Sequence, residues 1–107
     1  MKERIYNKLV RDNIPDVIRE KGNTPVVRAL EDGEFLRCLG EKLREETEEF
    51  LEDQNLEELG DILEVLEAMA HVHGWTDGEI RHAKEEKAQR RGSFRERVFL
   101  EKVVEQE

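Results

Sequence analysis

Residues 45–49 read Glu-Glu-Thr-Glu-Glu, and residues 58–61 read Glu-Leu-Gly-Asp. Carboxylates in such density can exchange protons or hold a hard cation through oxygen, and their placement decides which. On a helical wheel stepped at about 100° per residue, Leu36, Leu39, Leu43 and Phe50 form one apolar stripe. Glu46 continues that stripe, within about 20° of its centre. Glu49 lies at the edge of the same face, while Glu45, Glu48 and Glu52 point progressively outward. The next apolar arc, Leu56, Leu59, Ile62, Leu63, Val65, Leu66, Met69 and Val72, repeats the oddity. Glu58 falls inside it and Asp61 at its margin, three residues apart and so neighbours on the helix surface.

A short turn joins the two stretches. Counted from Gln54, Glu49 is five residues back and Glu58 four forward; Glu46 is eight back and Asp61 seven forward. At about 1.5 Å per residue, these pairs reach matching heights on facing helices. Four carboxylates then converge where a core belongs. Lys42, one turn from Glu46, does not balance four acids. Raised pKa values or a divalent cation are the remaining solutions. An all-oxygen site favours Mg²⁺ first and Mn²⁺ second. Two plainer readings stay open: the acidic run as a solvated helix face, and Glu58 as part of a helix cap favoured by the helix dipole.

The elements that position these residues follow from punctuation. Pro15 suits the opening turn of a first helix that Gly22 ends. Thr24-Pro25-Val26-Val27 is too short and too β-branched for a helix. A second helix runs from about Gly33 to Glu52. Asn55, with Glu58 three residues on, caps a third that Gly74 ends; Thr76, with Glu79, opens a fourth that closes near Gly92. The expected class is all-α: one domain over residues 1–107, an antiparallel bundle of about four helices. A short β segment near residues 24–29 or 94–102 is left open.

Composition narrows the partners. The chain has 107 residues and 27 Asp+Glu against 18 Lys+Arg, a net charge of -9 that would repel nucleic-acid phosphates. With 36% hydrophobic residues, the core is thin and best completed by another subunit, a homodimer or higher homo-oligomer. One cysteine, Cys38, excludes an internal disulfide and fits a reducing compartment, and no run approaches the ~18 apolar residues of a membrane span. A cytoplasmic protein away from membranes and nucleic acid is expected.

Glu45-Glu46-Thr47-Glu48-Glu49 followed by Glu58-Leu59-Gly60-Asp61 resembles the EExxE…ExxD signature of the MazG-type, all-α nucleoside triphosphate pyrophosphohydrolases. Lys42-Leu43 before the first block and Ile62-Leu63 after the second are similar to that context. The segment from Tyr6 to Pro15, and that from Lys87 through Arg91-Gly92-Ser93-Phe94, resemble a small house-cleaning branch of the superfamily. The gap between Glu49 and Glu58 is eight residues, shorter than in many members. The resemblance implies Mg²⁺-dependent cleavage of a nucleoside triphosphate into monophosphate and pyrophosphate. It carries metal ligation onto Glu46, Glu49, Glu58 and Asp61, the four that the wheel turns inward. Glu45 would be an accessory acid that takes a proton from the attacking water or helps hold a second ion. With Glu46 and Glu49 it makes up the catalytic set.

Phosphates also need cations. Lys87 and Arg91 are candidates for the β- and γ-phosphates, and Lys8, Arg11 and Asp12 for reaching the nucleotide. Helix-end cations and surface ion pairs are the competing readings. No Gly-rich phosphate loop and no convincing Ser-His or Cys-His pair is present. A phosphoribosyl-ATP pyrophosphohydrolase and a non-catalytic acidic helical module are the alternative functions.

Overall fold

The computed structural model describes residues 2–106, as two compact units that meet in sequence at Gly74 and Trp75. Four helices form: α1 (Ile14–Glu20), α2 (Asp32–Asp53), α3 (Leu56–His73) and α4 (Asp77–Arg91). The all-α class is the expected one. No strand occurs among the described residues. The two stretches in which a β segment was left open lack the partner ladder a strand requires: Val26 is 96% exposed, and Arg97 sits at φ 57, off the extended region.

In the first unit, Pro15 occupies the opening turn of α1, and Gly22, at φ +84, follows its end. A loop leads to α2, steadied by a two-pronged pair: Arg28 Nη1 and Nη2 each donate to a Glu34 carboxylate oxygen at 2.9 Å. Arg28 holds the Glu34 carboxyl below its ordinary range. α2 continues one residue past the expected end. Gln54 then takes a left-handed conformation (φ 50), and its N–H donates to the Phe50 carbonyl at 2.7 Å. Asn55 caps α3, its side chain accepting from the Glu58 N–H at 2.9 Å. With two residues between them, α2 and α3 pack as an antiparallel hairpin.

The hairpin core is small. Leu39, Val65 and Ala70 are its buried apolar residues, with Leu36, Leu43, Phe50, Ile62, Met69 and Val72 half-buried around them. The apolar arc of α3 is wider than the face that packs. Leu56, Leu59, Leu63 and Leu66 lie about 100° round the helix from the Ile62–Val65–Met69 column and remain exposed, Leu56 by 84%.

In the second unit, Thr76 and Glu79 form a complete capping box at the start of α4: Thr76 Oγ1 accepts from the Glu79 N–H at 3.1 Å, and the Glu79 carboxylate from the Thr76 N–H at 3.3 Å. α4 buries no residue, and Phe94, Val98 and Phe99 in the segment after it are exposed. No helix among the described residues is long and apolar enough to cross a membrane.

Candidate functional site

Glu46 is 7% exposed, the one buried charged side chain among the described residues, seated on α2 between Leu39 and Phe50. One carboxylate oxygen, Oε1, lies 3.3 Å from Lys42 Nζ. The other, Oε2, is buried with no hydrogen-bond partner. Such an atom has lost its water and gained nothing in return, which is costly for a charged oxygen.

Glu58, in the first turn of α3, is half-buried, and its Oε2 is likewise buried without a partner. Its carboxyl is pushed up to about 7, first by desolvation, then by a hydrogen bond with Asp53 and by the charges of Asp53, Glu49 and Asp61. Of the capping box expected here, the Asn55 half forms. Glu49 is exposed, yet its carboxyl is raised, chiefly by the charge of Glu46, then by desolvation and by Glu45. Asp61 is half-buried and tied to the segment before α1: Arg11 Nη2 donates to its Oδ1 at 2.6 Å.

The four acids carried inward by the wheel thus belong to one electrostatic neighbourhood, Glu46 beside Glu49 and Glu49 and Asp61 beside Glu58. Asp53 is a fifth member of this neighbourhood. It stands seven residues, two helical turns, after Glu46, so the same wheel places it on the Glu46 face. The acids are not drawn together at ligating distance: no three His, Cys, Asp or Glu among the described residues are grouped to hold a metal ion. Lys42 pairs with Glu46 and Arg11 with Asp61.

The remaining candidates are spread more widely. Glu45 is exposed, 3.9 Å from Lys42 Nζ. Lys8 Nζ lies 6.0 Å from the centroid of the Tyr6 ring, a cation–π contact, and Asp12 is exposed. Lys87 and Arg91 are exposed on α4, in the second unit, with Arg91 in the last turn where cations suit the helix dipole.

In donor chemistry, though not gathered at ligating distance, the residues are of the kind that suits a hard divalent cation. The donors are all carboxylate oxygens, two of them buried and unpartnered, and the local cations are too few to neutralise them. Glu46, Glu49, Glu58 and Asp61 would hold it.

No family model and no solved structure matches the chain. A protein of Mycolicibacterium smegmatis (strain ATCC 700084 / mc(2)155), described as an uncharacterized protein, is 52% identical over 42 residues. That similarity takes in 39% of this chain and 43% of the relative, so the chain spans under half the length of the protein it matches.

Proposed function

We propose that the protein is a Mg²⁺-dependent nucleoside triphosphate pyrophosphohydrolase that releases monophosphate and pyrophosphate, clearing non-canonical nucleotides, with Mn²⁺ as a substitute ion. The observation that carries this reading is Glu46: a buried carboxylate with one oxygen unpartnered, beside Glu49 and Glu58, whose proton affinities are raised by neighbouring acids and desolvation. Its resemblance to the EExxE…ExxD signature supplies the reaction class.

A bound Mg²⁺ would screen the acids from the triphosphate and offset charge developing on the leaving pyrophosphate. The chain's own residues do the rest. Glu46, Glu49, Glu58 and Asp61 fix the anchoring oxygens on two helices joined by a two-residue turn. Glu45, exposed at the rim, accepts a proton from the water that adds to the α-phosphorus. The α–β bridging oxygen departs with the pyrophosphate. Lys8, Arg11 and Asp12 reach the nucleotide. The exposed leucines of α3 and the thin hairpin core support a homodimer or larger homo-oligomer, and the lone cysteine, Cys38, fits a cytoplasmic setting.

The test is pyrophosphate release from a panel of canonical and modified triphosphates with Mg²⁺, with and without chelator. Metal-dependent release from one or more of them is expected. Release from phosphoribosyl-ATP alone would move the assignment to that neighbouring activity, and none from any substrate would favour a non-catalytic acidic module.

A further inference from the structure

Arg11 ties the N-terminal segment to the hairpin. Its backbone carbonyl accepts the Ile14 N–H at 3.1 Å, opening the first turn of α1, while its side chain crosses fifty positions of sequence to Asp61 on α3. Arg28–Glu34 and Lys42–Glu46, by contrast, join residues six and four apart. α1 itself buries no residue completely; Ile14, Pro15 and Ile18 are half-buried. The partner of Arg11 is one of the four carboxylates assigned to a cation, and a guanidinium and a divalent ion cannot both take Asp61 Oδ1 in the same approach.

We propose, resting on the metal reading above, that Arg11 is a resident counter-cation which a divalent ion displaces from Asp61, so that cation binding unlatches the N-terminal segment from α3. The pair serves two ends in the metal-free protein. It neutralises one acid of a group that would otherwise repel, and it anchors a short helix that has little apolar burial to hold it. Toward the cation, as distinct from the nucleotide, Arg11 is thereby a positioning residue that acts through Asp61. The pair is exposed enough, at 57% for the Arg11 side chain and 31% for Asp61, for a doubly charged ion to outcompete it.

Titration calorimetry of the full chain with Mn²⁺ alone, no nucleotide present, reads the competition. Arg11→Gln is expected to bind Mn²⁺ roughly two- to fivefold more tightly than the wild type, the range an exposed ion pair supplies, while Arg11→Lys, which keeps a cation there, stays close to it. A residue that merely braced the fold would act the other way, since its loss would loosen the ligands. In parallel, Mn²⁺ should speed backbone hydrogen exchange of residues 14–20 in the wild type, and change it little in Arg11→Gln, where exchange is already fast. Equal or weaker Mn²⁺ affinity in Arg11→Gln, or slowed or unchanged exchange of α1 on adding Mn²⁺ to the wild type, overturns the latch and leaves the metal site standing. Absence of Mn²⁺ binding in wild type and Arg11→Gln alike overturns the metal reading, and the latch with it.

Discussion

Lys42 and Glu46 stand one helical turn apart with Nζ 3.3 Å from Oε1, yet the second oxygen of Glu46 is buried and bonded to nothing. A single ammonium therefore satisfies half of a buried carboxylate, and under the proposed function the other half is the oxygen offered to the divalent ion. Glu46→Gln should cut metal-dependent pyrophosphate release on the order of a hundredfold or more, since losing a residue that only orients a ligand already costs about 10–100-fold. Glu48, exposed on the same helix, gives the control: Glu48→Gln should leave release within about twofold. Steady-state assays on both variants, with circular dichroism to confirm the helices, decide it; equal losses would move the site off Glu46.

Glu58 sets a pH dependence in the metal-free protein. Its carboxyl titrates near 7 in the folded chain against an ordinary 4.5, so between these values the folded state keeps a proton that the unfolded state has released. Stability must then fall as the pH rises through this window and level off above about 7. Glu34 acts with the opposite sign: Arg28 lowers it, and its contribution is lost only as pH falls below the ordinary carboxylate range. Urea unfolding in chelator at several values from about pH 5 to 8 should show the decline, and Glu58→Gln should flatten it. The Asn55 cap uses the Glu58 backbone N–H and survives that substitution.

Much of this was readable from residue spacing, and the failures are instructive. The helix ends came from Pro15, Gly74, Gly92 and the Thr76–Glu79 box because capping is local chemistry, written in neighbouring residues. The burial of Glu46 followed from periodicity on α2 for a similar reason. Periodicity alone overestimated the packed face of α3: it shows which residues are apolar, not which of two adjacent stripes α2 covers, and Leu56, Leu59, Leu63 and Leu66 are left outside. The Arg11–Asp61 pair had no local signature at all, since its partners are fifty residues apart. Asp53 is inconspicuous in the sequence because it ends α2 directly before the turn at Gln54.

Divalent ions should stabilise the fold. A ligand bound only by the native state, at a hundred times its dissociation constant, adds about 2.7 kcal/mol. For a chain of this size each kcal/mol is worth about 4–8 °C, so Tm should rise by roughly 10–20 °C in saturating Mg²⁺ or Mn²⁺. Glu46→Gln should lose most of the shift. Differential scanning calorimetry at constant ionic strength, with Na⁺ replacing the divalent salt as reference, separates site binding from general screening of the acids. An equal shift in both salts would count against a specific site.

Leu39 and Leu63 should respond oppositely to truncation and to association. Leu39 is 3% exposed in the hairpin, and Leu39→Ala should cost about 2–5 kcal/mol, as loss of a buried leucine side chain does. Leu63 is 57% exposed, at the middle of the outward α3 stripe, and in an isolated chain Leu63→Ala should change stability by under about 0.5 kcal/mol. If that stripe is covered by a second copy, Leu63→Glu places a carboxylate in an apolar interface and should convert the oligomer to a 12.6 kDa monomer while leaving its helices intact. Light scattering across a concentration series measures the mass, and circular dichroism the helices. A wild type that is monomeric at every concentration, or a Leu63→Glu variant that associates as before, would remove α3 from the interface; the Leu39→Ala cost would stand regardless, because it arises within one hairpin.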